Sequence, residues 1–211
     1  MKKSAFDTAH QGSSMGSKIV VALERISEAF RVLLWNEGKT TGLSPLQVQV
    51  LIFLLHHEDA GKRKVSHLAA EFNMTKPTMS DAVKTLLAKG LVEKEADPSD
   101  QRSFALHLSP DGAALARQVS HFTEEIQVPI ENLSPDEQAN LLLNLFAIIR
   151  HLNRAGIITV QRMCFNCTHY RPDHEGHTHF CGLLNAPLRI SELRVDCPEH
   201  QEKTMLPPVG D

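Results

Sequence analysis

The sequence predicts a mainly α-helical fold with one small β-hairpin, followed by a short loop-rich module. Three observations carry this. Apolar residues recur at helical spacing from residue 18 to about residue 153. Two runs, residues 91–94 and 104–108, have strand character. All four cysteines fall within residues 163–200.

Residues 1–17 are polar and rich in Ser and Gly, and read as a flexible tail. Residues 18–38 put Val20, Leu23, Ile26, Phe30, Leu33 and Leu34 on one side of a long helix. Ser44-Pro45-Leu46-Gln47 opens the next helix with Ser as N-cap, Pro in the first turn and Gln closing a capping box. Val65, Leu68, Ala69 and Phe72 form the apolar face of a short helix, and Asn73-Met74 turns the chain. Thr75 caps the following helix, which tolerates Pro77 in its first turn. That helix buries Met79, Val83, Leu86 and Leu87 and stops at Gly90. Its other face carries Lys76, Ser80, Asp81 and Lys84. Leu91-Val92-Glu93-Lys94 and Phe104-Ala105-Leu106-His107-Leu108 read as paired strands, with a tip at residues 97–102 in which Pro98 suits a type I turn. Helix, turn, helix and hairpin in this order describe a winged helix-turn-helix.

Ser109-Pro110 starts a helix to about residue 130 with Leu115, Val119, Phe122 and Ile126 inward. Ser134-Pro135-Asp136-Glu137 starts another, to about residue 153, bearing Leu141, Leu142, Leu145, Ile148, Ile149 and Leu152. Such a stripe exposed on a lone helix would be a large apolar patch, so it suits a dimer interface or a core within one chain.

The segment Lys89-Gly90-Leu91-Val92, then Asp97-Pro98-Ser99-Asp100-Gln101-Arg102, then Leu108-Ser109-Pro110-Asp111-Gly112 resembles the signature of the MarR family of bacterial transcription regulators. Where that family carries an Arg after the first run, Glu93, Lys94 and Glu95 stand here. The resemblance covers residues 18–156. It implies a winged helix domain dimerised through its first and last helices, and binding to double-stranded DNA. It also implies a response to a small aromatic or phenolic effector. The residues expected at DNA are Thr75, Lys76, Pro77, Thr78, Ser80, Asp81 and Lys84 in the major groove, with Arg102 at the hairpin tip entering a minor groove and Asp100 holding the tip.

Composition is that of a globular chain, 42% hydrophobic and 22% charged. The net charge of −3 excludes a generic polyanion binder, yet eight cations face six acids between Lys62 and Arg102. Ser4-Ala5-Phe6-Asp7 breaks any signal-peptide apolar region, and the longest apolar run, residues 48–55, is too short to span a bilayer. The expected location is the cytoplasm, with no membrane partner; there, cysteines serve as ligands or thiols rather than disulfides.

Residues 157–202 form a second module, with residues 203–211 as a tail. Its spacing is Cys164-x2-Cys167-x13-Cys181-x15-Cys197, a set able to fill a tetrahedral metal site. Zinc fits these thiolates; an iron–sulfur cluster is the alternative, favoured by Cys197-Pro198 and by Phe165, Phe180, Leu183 and Leu184, and redox-active thiols are a third reading. His174, His177 and His179 read as a solvated loop. No H-E-x-x-H or comparable motif points to an enzyme. The sequence therefore describes a dimeric DNA-binding regulator with a metal-binding appendage. An interaction adaptor that keeps the winged helix without reading DNA is the alternative.

Overall fold

The computed structural model describes residues 3–97 and 100–203, and of residues 97 and 100–103 the backbone only. Two compact units emerge: Met1–Val65 with Met79–Gln127, and Ser66–Thr78 with Val128–Asp211. This division cuts differently from the expected boundary at residue 156, because the final long helix shares a unit with the cysteine-bearing segment.

In the first unit, α1 (Thr8–Gln11) is capped by the Asp7 carboxylate and α2 (Met15–Thr41) by the Ser14 hydroxyl, so the expected N-terminal tail is partly helical. α3 (Pro45–His56) begins with the full Ser44/Gln47 capping box. It is the most enclosed element, with Val48, Val50, Leu51 and Leu54 at 0% exposure, packed against α2 and α6 (Pro110–Val119). Leu34, Leu106, Ala116 and Val119 complete this core along with Met79, Val83 and Leu86 of α5 (Lys76–Ala88).

The wing is an antiparallel pair, β1 (Val92–Asp97) and β2 (Asp100–Leu108), in register from Val92↔Leu108 to Ala96↔Phe104, with an irregularity at Ala96/Asp97. Both strands run further toward the tip than side-chain alternation indicated, because pairing continues through Glu95, Ala96 and Asp97. Arg63 anchors the base of the wing: its carbonyl accepts from the Leu106 N–H at 3.0 Å, and its guanidinium reaches the Leu54 carbonyl and the His107 ring. The single helix expected over residues 110–130 is instead α6, a 3-10 turn (Ser120–Thr123) and α7 (Glu124–Glu131). The Ser120 hydroxyl donates to the Arg117 carbonyl at 2.7 Å, diverting an acceptor of the last α6 turn.

The second unit holds α4 (Val65–Glu71) from Ser66 onward, the turn after it, the first residues of α5 (Lys76–Ala88), and α8 (Pro135–Arg154) with its Ser134/Glu137 capping box. After α8, the expected loop-rich module is a three-stranded antiparallel sheet: β3 (Tyr170–His174), β4 (His177–Cys181) and β5 (Ala186–Pro187). Of the polar stretch read as a loop, only Glu175 and Gly176 turn, at φ 53° and 80°, the left-handed pair a tight hairpin requires; His174 ends β3 and His177 and His179 lie in β4. Phe146 of α8, Met163, Tyr170 and Leu193 form a core, with Leu142, Leu143 and Ile149 packed on it. Part of the α8 stripe is thus covered within the chain, while Leu141 and Ile148 stay exposed. Among the described residues no helix is long and apolar enough to cross a membrane.

Candidate nucleic-acid interface and thiol site

α5 starts as its sequence dictates. The Thr75 hydroxyl accepts the Thr78 N–H at 3.3 Å and meets the Thr78 hydroxyl at 2.8 Å, capping the helix, with Pro77 in the first turn, where no N–H is needed. At the other end Gly90, φ 67°, lets the Leu91 N–H return to the Leu86 carbonyl at 3.0 Å, a helix stop that favours glycine. Met79, Ala82, Val83 and Leu86 are buried, whereas Thr75, Lys76, Pro77, Thr78, Asp81 and Lys84 are exposed and Ser80 is half-buried. Six of the nine expected contact residues are therefore exposed, and Ser80 is half-buried.

Two features modify the expected site. Lys84 Nζ lies 3.0 Å from Asp81 Oδ1, with both side chains 74% exposed, so one cation of the reading face already has an acidic neighbour. Asp100 and Arg102 lie in β2, not in the turn as expected; their side chains, and Pro98 and Ser99 altogether, fall outside the described residues. His67, next to this region in sequence, directs Nε2 toward Glu71 at 3.5 Å.

The four cysteines come together. Cys164 and Cys167 bracket a 3-10 turn closed by the Cys167 N–H on the Cys164 carbonyl at 3.0 Å. Cys181 ends β4, and Cys197 is fixed by its N–H on the Arg162 carbonyl at 3.0 Å. All four are free thiols and line one pocket with His169, Tyr170, Leu183, Leu188 and Glu199. Burial pushes the Cys164 thiol up; the Arg194 N–H, donating to its sulfur at 3.2 Å, works the other way, and Cys197, Cys181 and Cys167 add to the rise. Among the described residues no group of three or more His, Cys, Asp or Glu side chains has the arrangement of a bound metal ion. Two of the strand histidines have packing partners: His179 Nδ1 meets the Tyr170 hydroxyl at 2.6 Å and His174 packs edge-on against Phe180. His169, which no spacing rule marked, lines the thiol pocket, and its buried Nε2 has no hydrogen-bond partner among the described residues.

A third feature had no sequence signal. Arg162, 9% exposed, sends Nη1 and Nη2 to both carboxylate oxygens of Glu71 at 2.7 and 3.0 Å, and Nε and Nη2 to Asp196. Burial works against its charge, and these two carboxylates overcome that, holding the guanidinium above its ordinary range. Nearby, the Thr159 hydroxyl donates to the Ala70 carbonyl and Asn73 Nδ2 to the Ile157 carbonyl at 3.4 Å.

Element order and geometry define a winged helix-turn-helix of MarR type. A MarR family model matches residues 41–103, the stretch from the end of α2 into β2. Among solved structures, the chain is similar to the S. aureus MepR–DNA complex (23% identity, TM-score 0.56, 63% of this chain and 97% of that one). It is also similar to a MarR transcriptional regulator from Methanosarcina mazei Go1 (17%, 0.55, 65% and 97%). A MarR family regulator from Silicibacter pomeroyi is comparable (24%, 0.53, 67% and 92%). No curated protein matches the chain.

Proposed function

We propose that this chain is a sequence-specific DNA-binding transcription regulator that acts as a homodimer and has no catalytic role. The observation that carries the reading is the division of α5: its apolar residues Met79, Ala82, Val83 and Leu86 are buried while Lys76, Pro77, Thr78, Asp81 and Lys84, with the cap Thr75, are exposed. Short polar side chains at a helix start suit base edges, and lysines suit phosphates. Arg102 is assigned to a minor groove and Asp100 to shaping the tip. The likeness to a structure solved with DNA supports the reading. Exposed Ile19, Val20 and Ile26 on α2 and Leu141 and Ile148 on α8 support a dimer, whose two α5 helices would enter successive major grooves. A cleft beside Val32, Trp35, Asn36 and Lys39 is suited to a small aromatic effector. The setting is cytoplasmic.

The test is selection of duplexes from a random pool, then gel-shift titration at fixed salt with Lys84→Ala and Arg102→Ala. Both variants weaken binding and melt as the parent does; unchanged affinity in both removes the assignment. An adaptor without DNA specificity is the second reading, favoured by the Asp81–Lys84 pair, and equal affinity for selected and random duplex would establish it.

The thiol pocket is assigned to a metal held by Cys164, Cys167, Cys181 and Cys197, with zinc first and an iron–sulfur cluster as the alternative. Convergence of all four cysteines on one pocket supports this, as does the small core around them, which would gain folding energy from a bound metal. Elemental analysis and a visible spectrum of protein purified without oxygen decide it: one zinc and no colour, or broad absorption near about 400 nm for a cluster. Absence of any metal rejects the assignment.

A further inference from the structure

We infer that ligation at the four thiols controls the helix-turn-helix through Arg162, an inference that rests on the metal reading above. Arg162 couples the two by its two ends. Its main-chain carbonyl accepts the Cys197 N–H at 3.0 Å, and it lies two residues before Cys164, which pairs with Arg194 through the Cys164 N–H on the Arg194 carbonyl at 3.1 Å and the Arg194 N–H on the Cys164 sulfur at 3.2 Å. Its side chain grips Glu71, the last residue of α4, with both terminal guanidinium nitrogens while also holding Asp196, the neighbour of Cys197. From Glu71 only the turn at Asn73 and the cap at Thr75 intervene before α5.

A buried ion pair is a poor way to gain stability, since apolar residues of similar volume usually serve as well or better. What a forked guanidinium–carboxylate contact supplies is a fixed distance and angle between two backbones. Here the backbones are that of the segment leading into the prospective metal ligand Cys164 and that of the helix leading into the reading face. Two flanking bonds, Thr159 to the Ala70 carbonyl and Asn73 to the Ile157 carbonyl, join the same two segments. With metal in place, Cys164 and Cys197 are pinned, Arg162 is pinned between them, and the α4–α5 turn is held in one orientation. Without metal, the Arg162 carbonyl and the Arg194 strand lose that restraint, and the turn samples others.

The experiment uses the full chain, stripped by chelation and reconstituted with Zn²⁺ without oxygen, titrated with its selected duplex and with random duplex. In the parent, zinc tightens binding to the selected duplex by about tenfold, within the usual range of coupling between sites. By linkage the duplex tightens zinc binding by the same factor, read by competition with a chromophoric chelator. Glu71→Gln removes the charge and one of the two acceptors that Arg162 holds on α4 without touching the thiols, and Thr159→Val removes a flanking bond at constant shape. Both keep one equivalent of zinc and a cooperative melt, and in Glu71→Gln the zinc-dependent ratio falls toward one, with a smaller drop in Thr159→Val. A Glu71→Gln protein that keeps the full ratio overturns the inference, as does a zinc-loaded parent whose duplex affinity ignores metal. A parent that takes up no zinc fails the metal reading and this inference with it, while a zinc-loaded parent that cannot tell selected from random duplex fails the DNA reading instead.

Discussion

Gly112, in the first turn of α6, lies directly against the main-chain carbonyl of Leu91: a Cβ on Gly112 would stand 1.8 Å from that oxygen and 2.8 Å from its carbon. The Leu91 oxygen also accepts the Ser109 N–H at 3.1 Å, so the start of α6 is seated on the residue that opens the wing. The obstacle is backbone and cannot swing aside. Gly112→Ala is therefore expected to destabilise the chain by at least the ~1–3 kcal/mol of ordinary overpacking, measured by urea unfolding. An alanine variant as stable as the parent would contradict this contact.

Asp81 tempers the charge that Lys84 offers to DNA. Asp81→Asn removes the acid 3.0 Å from Lys84 Nζ and leaves the helix cap at Thr75 alone. Stability changes little, because exposed pairs are worth about 0–1 kcal/mol. Affinity for any duplex rises, and its dependence on salt steepens as another phosphate is neutralised. A gel-shift series across salt concentrations reads both; a slope identical to the parent's would place Lys84 away from the phosphates.

Phe146 is 1% exposed and meets Phe165 edge-on at 5.2 Å between ring centroids, inside the core that seats the cysteine segment on α8. Phe146→Ala is expected to cost about 3–5 kcal/mol in chemical denaturation. Thiol accessibility to a disulfide reagent should rise in parallel, since Phe165 lies between Cys164 and Cys167 in sequence. A loss below about 1 kcal/mol would show that the site tolerates a cavity.

The α8 capping box gives a pH dependence with a definite sign. Hydrogen bonds from the Ser134 hydroxyl and N–H, at 2.6 and 2.9 Å, hold the Glu137 carboxyl below its ordinary 4.5. A carboxylate depressed on folding contributes stability that is complete above the unfolded value of 4.5 and is lost as pH falls through the lower folded value. Carbon-detected NMR titration should place Glu137 below 4.5 in the parent and closer to it in Ser134→Ala. The Tm gap between the two proteins should narrow below that pH. Coincident titration curves would refute the assignment.

The local devices were legible. Ser44, Ser134, Ser109, Thr75 and Gly90 each perform the capping or stopping role that their residue types imply, because such bonds span only a few positions. The reading face of α5 followed from them and from helical spacing. The wing's length was not legible: Glu95, Ala96 and Asp97 pair through backbone groups that their side chains do not advertise. The β3–β4 hairpin had a signal in Glu175-Gly176, masked by the histidines around it. The Arg162–Glu71 contact had none, since partners 91 residues apart share no local pattern.

The cysteine-bearing segment finishes where it starts. The Thr168 N–H bonds the Gln201 carbonyl at 2.8 Å, the Lys203 N–H bonds the Asn166 carbonyl at 2.9 Å, and Cys167 bridges Glu202. A stretch laced shut in this way behaves as a cassette with a single seam, so transplanting it to another host means matching one junction rather than two. Any recipient would still need an acid where Glu71 stands, or the buried guanidinium of the graft would keep Asp196 alone as its carboxylate partner.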